Sequence, residues 1–413
     1  MIRIALISDI HFGKDGRGDF TIPNESPKFG VLSTEKTMGA DLVAALQEQQ
    51  PEYLFIAGDL TSIGSPAEYY YCEKKVLEIA KEVNIDNSKI IWCTGNHDND
   101  WAISKLSDSY NSTAKAELYN ENIERICVDK YSQIAANVAE NNIENLPFPL
   151  EKGVSPASGV YKDQHMIVFI LNSATKCMHS AALDHGEITI DQLTWFENQL
   201  KNYENDSRWK IVLLHHHPFN YPYPEIGIDT SLLSDGSQFQ EMAGKGGVHL
   251  VLHGHRHHPR CKTQNETSWR NPISFICAGS LSVGEKQRLD GSIPNVFHIL
   301  ELDEEQIGQL YFKSFEYLPG SGWAPVSKRG GTVPIDPIMR LGRIINNDEL
   351  IASIESLASN TGPVESFEWD ELNDELQFNP CDEVNSLIES TLKDRFIVKA
   401  KLPENLTIKR KGG

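Results

Sequence analysis

The sequence predicts a layered α/β domain built around mixed or parallel sheets, and three observations carry that prediction. Short apolar runs recur at 2–8, 53–57, 89–93, 166–171, 210–214, 249–252 and 274–278. Near-continuous apolar runs of this length are expected of strands buried on both faces. Segments with helical periodicity lie between many of them, at 35–49, 67–83 and 191–203, the last with Leu193, Phe196 and Leu200 at helical spacing. Finally, five polar segments begin where apolar runs end, at residues 9, 58, 95, 215 and 254. Open α/β sheets bind ligands at the carboxyl ends of their strands, so five such coincidences point to one common site.

Taken in chain order, the opening run Ile2-Arg-Ile-Ala-Leu-Ile-Ser8 is too short for a secretory leader and leads straight into Asp9 and His11, so it is expected to be a buried strand. Residues 101–150 form a polar, helical-looking insertion, with candidate helices at 112–120 and 123–141. Following Asn96 to Asp98 directly, this insertion is expected near the site, either as a substrate-selecting lid or as a structural insertion. A strand pair is expected near 296–302 and 308–317. The stretch Leu318-Pro-Gly-Ser-Gly-Trp-Ala-Pro325, then Gly330-Gly-Thr-Val-Pro334, has linker composition. The expected division is therefore a catalytic domain over 1–317 and a linker with a small C-terminal region over 318–413, available for a protein partner.

Composition narrows the class. A chain of 413 residues can bury a large core, and 40% hydrophobic with 23% charged residues is ordinary for a globular protein. The seven cysteines are odd in number, widely spaced and free of any CxxC pair, which argues against a disulfide framework or zinc ribbon and makes a reducing cytoplasm the expected location. No apolar stretch approaches the roughly 18 to 20 residues that span a bilayer. A net charge of 38 − 58 = −20 disfavours nucleic acid as a partner, because backbone contact depends on clustered Lys and Arg. The charge is uneven: twelve acidic and no basic residues lie between Arg343 and Lys393, and seven basic residues follow from Lys393 to Lys411. This pattern is expected of a solvated face or tail.

The five polar segments read Asp9-Ile-His11, Gly58-Asp59, Gly95-Asn-His-Asp98, His215-His-His217 and Gly254-His-Arg-His257. Asp9 and His11 are two apart beyond a strand, so in extended backbone both side chains leave on one side and can grip one ion; His255 and His257 repeat the arrangement. Asp59, at a tight Gly58 turn, can bridge two cations through its carboxylate. Asn96 offers an amide oxygen, and one histidine of 215–217 offers a nitrogen. Mixed carboxylate, amide and imidazole donors suit Mn, Fe, Zn, Co or Ni better than Ca or Mg. His249, His253 and His258 are expected to be packing or surface residues, and His165, His179, His185 and His298 fall in no pattern.

In this order, DxH, GD, GNHD, H and GHxH resemble the motifs of the calcineurin-like metallophosphoesterase superfamily. The resemblance covers about residues 1–317, and Gly186-Glu-Ile-Thr-Ile-Asp-Gln-Leu-Thr-Trp195 is similar to the helix start of its bacterial class III cyclic-nucleotide phosphodiesterases. It implies two mixed β-sheets packed as a four-layer sandwich flanked by helices, with a dinuclear metal site at the carboxyl ends of the strands. It further implies that Asp9, His11 and His257 hold one metal, Asn96, His216 and His255 the other, and that Asp59 bridges. His216 takes its place because His216-His217-Pro218 matches the family's His-His-Pro, leaving His215 as the extra residue. The expected cofactors are two divalent ions, Mn, Fe or Zn. The expected reaction is hydrolysis of a phosphodiester by metal-activated hydroxide, with His97 as general acid and Asp98 orienting its ring.

Departures from other branches narrow the substrate. The Ser/Thr phosphatase pattern GDxxDRG with GNHE is replaced here by Gly58-Asp-Leu-Thr-Ser-Ile63 and GNHD, and the metal-binding tyrosine of purple acid phosphatases is Ser62. A small phosphodiester, such as a cyclic nucleotide, is the favoured substrate. The alternatives are the nuclease branch that shares these metal motifs, which the acidic balance disfavours, and a non-catalytic scaffold recruiting a partner through 318–413, whose signature of lost ligands is missing.

Overall fold

The computed structural model describes residues 1–23, 37–99, 151–155, 157–175, 177, 185–219, 232–284, 293–304, 307–308 and 310–326, with the backbone of strands at 338–341, 366–367, 396–401 and 405–410. The expected insertion helices at 112–120 and 123–141 lie outside the described residues, as does most of the C-terminal region proposed for a partner.

The strands are β1 (Ile2–Ile7), β2 (Tyr53–Ala57), β3 (Ile90–Cys93), β4 (Glu151–Lys152), β5 (Gly159–Lys162), β6 (Met166–Ile170), β7 (Trp209–Leu213), β8 (Leu250–His253), β9 (Arg260–Gln264), β10 (Ile273–Cys277), β11 (Val296–Leu302), β12 (Leu310–Leu318), β13 (Gly322–Pro325), β14 (Ile338–Leu341), β15 (Ser366–Phe367), β16 (Phe396–Lys401) and β17 (Asn405–Arg410). The helices are α1 (Met38–Gln49), α2 (Pro66–Glu82), α3 (Ile190–Asn202) and α4 (Gly236–Lys245), with 3₁₀ turns at Asn87–Lys89 and Asn96–Asp98.

Two mixed sheets result. The first runs β13-β12-β11-β1-β2-β3, with β14 also paired to β12; β1, β2 and β3 are parallel and β11 is antiparallel to β1. The second runs β4-β5-β6-β7-β8-β10-β9, with β6, β7, β8 and β10 parallel and the flanking β5 and β9 antiparallel. A three-stranded sheet in the order β15-β17-β16 is formed by the C-terminal strands.

Alternation along the strands divides the interior into three apolar layers. In β1, Ile2, Ile4 and Leu6 join Tyr53, Phe55 and Ala57 of β2 and Trp209, Ile211 and Leu213 of β7 between the sheets. Residues of opposite parity, such as Ala5, Ile7, Leu54 and Ile56, face α1 and α2. Val212, Leu214, Val251 and Phe275 face α3 and α4 of the other sheet. The order is therefore helix, sheet, sheet, helix, the four-layer sandwich expected from the sequence.

The helices that flank the sheets are locally specified. Ser65 caps α2 by accepting the Glu68 N–H while Glu68 returns the bond to the Ser65 N–H, and Pro66 occupies the first turn, where no donor is needed. Thr189 caps α3 by accepting the Gln192 N–H. Capped ends set where each chain segment re-enters the sheet, and hence where each site loop begins.

One expectation is corrected. The stretch 318–325 was assigned linker composition, but β12 continues to Leu318 and β13 pairs with it, matching Tyr317 to Trp323. Trp323 packs edge-on to Phe297 and donates its indole N–H to the Met38 carbonyl. Glycine and proline supplied turn chemistry at the ends of a hairpin, and the tryptophan between them was the signal that the segment is anchored. Strands β5 and β9 and helix α4 were not anticipated; the two strands are short and only partly apolar.

Buried His298 makes the sandwich sensitive to acid. On β11 it is fully buried, pairs with the Ser314 hydroxyl and is pushed by burial down to about 3 from the ordinary 6.5. The unfolded chain takes up a proton below about pH 6.5 that the folded chain refuses, so stability falls as pH drops from there toward 4. The slope is up to ~1.4 kcal/mol per pH unit. His298→Gln is expected to flatten that acid limb in urea titrations run at several pH values; an unchanged limb would count against the buried neutral imidazole.

Candidate metal centre

The five polar segments converge where the two sheets approach at the carboxyl ends of β1, β2, β3, β7 and β8. Backbone pairing continues past the strand ends: Asp9 N–H donates to Gly58 C=O at 3.0 Å, His11 N–H to Asp59 C=O at 2.9 Å and Gly254 N–H to His215 C=O at 3.0 Å. Other contacts cross between the sheets, two of them through backbone groups. His215 Nδ1 donates to the Ala57 carbonyl at 2.8 Å, and the His255 N–H donates to Asp9 Oδ2 at 3.2 Å.

The backbone is bent hard at these positions. Asp9, His11, Asp59, His255 and His257 all have positive φ, at 50°, 48°, 52°, 81° and 54°. A non-glycine residue in this region costs about 1 kcal/mol or more, and it persists only where surrounding structure holds it. The glycines of the motifs make room for the result. Gly58, at φ 88°, has no space for a Cβ, which would meet His215 Nδ1 at 2.4 Å; at Gly95 a Cβ would meet Asp59 Oδ1 at 2.1 Å.

Two overlapping groups of donors follow. Asp9, His11, Asp59 and His257 place one donor atom each within 4.8 Å of one another, and so do Asp59, His215 and His255. Asp59 Oδ2 lies between them, 3.3 Å from His11 Nε2 and 3.2 Å from His215 Nε2, while Oδ1 accepts the His97 N–H at 2.9 Å. The Asn96 amide oxygen joins the second group, 3.0 Å from His255 Nδ1 and 3.2 Å from His215 Nε2.

These residues fit metal ions on chemical grounds. His11 and His257 bring their Nε2 atoms to 3.2 Å of each other, and His257 Nε2 is also 3.2 Å from Asp9 Oδ1. His255 Nε2 is buried without a hydrogen-bond partner. Such atoms are rare in a folded interior unless something else satisfies them. The electrostatics agree. Burial opposes charge on Asp59, yet the neighbouring His215 and His97 and hydrogen bonds from His11 and His215 hold it well below the carboxylate range. Against burial, Asp59 and Asp9 raise His11 to about 10, and Asp59 and Asp9 with the Ala57 carbonyl raise His215 to about 9. The two carboxylates thus call for positive charge between them.

Of the residues anticipated from sequence, Asp9, His11, Asp59, Asn96, His255 and His257 are brought together, and His216 is not. The structure places His215, where the sequence suggested His216, beside Asp59 and Asn96. β7 sends Leu213 between the sheets and Leu214 toward the helices, so His215 continues toward Asp59 and His216 turns away. His216 Nδ1 pairs with the Ser173 hydroxyl at 2.9 Å and Nε2 lies 3.6 Å from Cys177 Sγ. Burial, then the His215 charge, keeps His216 neutral. Strand parity selects His215 only once the packing of the sheets has shown which face of β7 is inward.

His97 is set differently from expectation too. Its Nδ1 donates to the Ser62 carbonyl at 2.8 Å, and its ring centre is 4.3 Å from that of His11. The Asp98 carboxylate, expected to orient that ring, instead accepts N–H groups of Thr61 and Gly95, both at 2.9 Å. Ser62 therefore orients His97, and Asp98 ties the two loops together. Burial, then the His11 charge, pushes His97 down to about 4.

The chain belongs to the calcineurin-like phosphoesterase family, whose model matches residues 2–259. It is 26% identical over 263 residues to a probable cyclic nucleotide phosphodiesterase of a Synechococcus strain, covering 62% of this chain and 73% of that protein. It is 36% identical over 80 residues to a second such protein of Synechococcus, covering 19% of this chain and 29% of the other. Among solved structures it is similar to a purple acid phosphatase from yellow lupin seeds, with a TM-score of 0.49 and 12% identity, over 78% of this chain and about half (52%) of that one. The first group of contacts, and the family, make the chain a phosphoric ester hydrolase with a metal-binding cluster. Among the described residues no helix is long and apolar enough to cross a membrane.

Gly95→Ala tests the packing at this centre. The added methyl would also meet the Asp59 backbone N at 2.7 Å, so it cannot be absorbed by side-chain rotation alone. The variant is expected to lose about 1–3 kcal/mol in urea unfolding; wild-type stability would show that the Asp59 turn is looser than described.

Proposed function

We propose that the chain is a dinuclear metal-dependent phosphodiesterase acting on a small diester, with a cyclic nucleotide as the favoured class. The observation that carries this reading is Asp59 Oδ2, 3.3 Å from His11 Nε2 on one side and 3.2 Å from His215 Nε2 on the other. Asp9, His11, Asp59 and His257 would hold one ion; Asp59, Asn96, His215 and His255 would hold the other. The donor mixture favours Mn, Fe or Zn over all-oxygen cations. When bound, two such cations supply positive charge that polarises a phosphoryl group and acidifies water.

The chain's own residues then have separate tasks. Asp59 stays ionised and is held in register with the GNHD loop through its bond from the His97 N–H. The Ser62 carbonyl takes the Nδ1 proton of His97, which assigns the proton exchanged with substrate to Nε2. His97 would protonate the leaving oxygen from Nε2 of its imidazolium form, which the negative charge of a bound phosphate would favour against the burial that otherwise keeps the ring neutral. The names of the Synechococcus relatives support a diester, and the net charge of −20 supports a small substrate over a nucleic-acid strand.

The test uses leaving groups of different basicity. With Mn-loaded protein, His97→Ala is expected to lose about 10²–10⁴ in kcat on a cyclic nucleotide, whose alkoxide needs a proton. On bis(p-nitrophenyl) phosphate, whose phenolate leaves unaided, the loss should be far smaller. Equal losses on both would remove His97 from proton donation, and no turnover of any diester by the wild type would end the phosphodiesterase reading. Chelation should abolish turnover in either case. In metal analysis, His215→Ala is expected to retain one ion where the wild type holds two, whereas His216→Gln retains both.

A further inference from the structure

The turn after β6, described at residues 172–175 and 177, bears on both sheets beside the second donor group. Ser173 Oγ accepts the backbone N–H groups of His215 at 3.3 Å and His216 at 3.1 Å. It also donates to His216 Nδ1 at 2.9 Å, which uses the hydroxyl completely. On the other side, Asn99 Nδ2 donates to the carbonyls of Ala174 at 2.8 Å and Cys177 at 2.9 Å. Asn99 is three residues beyond Asn96. The turn therefore links the loop that presents Asn96 from the first sheet to the loop that presents His215 from the second.

The turn is itself held from behind. Gln192, fully buried in the first turn of α3, donates to the Asn172 carbonyl at 3.0 Å and accepts the Asn172 N–H at 2.8 Å. The Glu187 N–H donates to the Ser173 carbonyl at 2.9 Å, and Gly186 lies so close to His216 that a Cβ there would meet its Cγ at 2.4 Å. The segment 186–195, singled out in the sequence but given no chemical task, thus holds the turn through three hydrogen bonds to Asn172 and Ser173.

We infer that Ser173 and Asn99 are positioning residues for the second metal ion: through the turn after β6 they fix the separation of His215 and Asn96, donors that come from different sheets. The inference rests on the dinuclear reading above and extends it. Neither residue belongs to either donor group. The first group is held from elsewhere: the Ser280 hydroxyl donates to the Asp9 carbonyl and the Ser62 hydroxyl to the His11 carbonyl. Loss of the bracket should consequently weaken one ion and spare the other.

The experiment titrates metal-free full-length protein with Mn and reads the two dissociation constants by calorimetry. Low-temperature electron paramagnetic resonance reads the exchange-coupled signal that only a Mn pair produces. Ser173→Ala and Asn99→Ala, on opposite sides of the turn, are each expected to weaken the second ion at least tenfold, with the first ion held within about twofold. The coupled signal should decline in step at a fixed Mn concentration. A general loss of structure would weaken both ions together and would overturn the inference, as would an unchanged second ion. A wild type that binds fewer than two ions would overturn the dinuclear reading and the bracket with it. Two ions in the wild type with an unaltered second ion in both variants overturns the bracket alone.

Discussion

The approach of the two sheets at the ends of β2 and β7 is the constraint on which the centre depends. There His215 of the second sheet donates Nδ1–H to the Ala57 carbonyl of the first, one turn before Asp59. The bond fixes the imidazole tautomer, aims Nε2 at the Asp59 carboxylate and sets how closely the two halves of the site approach. Apolar layers made by alternate residues of β1, β2, β7 and β8 hold the sheets at this distance. The chemistry at the strand ends is therefore a consequence of packing several residues further down each strand.

Holding polar groups at such a seam has a structural cost, distributed over the fold. Five donor residues adopt left-handed backbone, and the buried His255 Nε2 goes without a hydrogen bond. Capped helices, the Asp98 carboxylate between the Thr61 and Gly95 amides, and the Ser62 hydroxyl bonded to the His11 carbonyl keep the loops in these conformations. A preorganised set of donors follows, all of it within the span 2–259 that matches the calcineurin-like phosphoesterase family.

Much of this was legible along the chain, for identifiable reasons. Strands buried on both faces write themselves as apolar runs, and β1, β2 and β3 were bounded to within a residue or two. The GD and GNHD glycines mark places where a Cβ would strike a donor side chain. Three features were not legible. β13 has turn-forming ends that hide a tryptophan anchor. His97 takes its orientation from a backbone carbonyl at Ser62, which no side-chain pattern encodes. The helix-start segment 186–195 was recognisable by resemblance, but its buried Gln192 acts on a turn twenty residues earlier.

The histidine run marks the boundary between the two kinds of information. The sequence by itself determined which donor types are present, that they follow strands, and that one of three consecutive histidines must serve. It could not choose among them, because β7 is apolar on both faces and its alternation carries no label for inside or outside. Tertiary structure supplied that label: the second sheet covers the face of Trp209, Ile211 and Leu213, so His215 meets Asp59 and His216 meets Ser173. Side-chain identity is a local property of the chain, whereas the side of a strand that faces a partner exists only once the two sheets have packed.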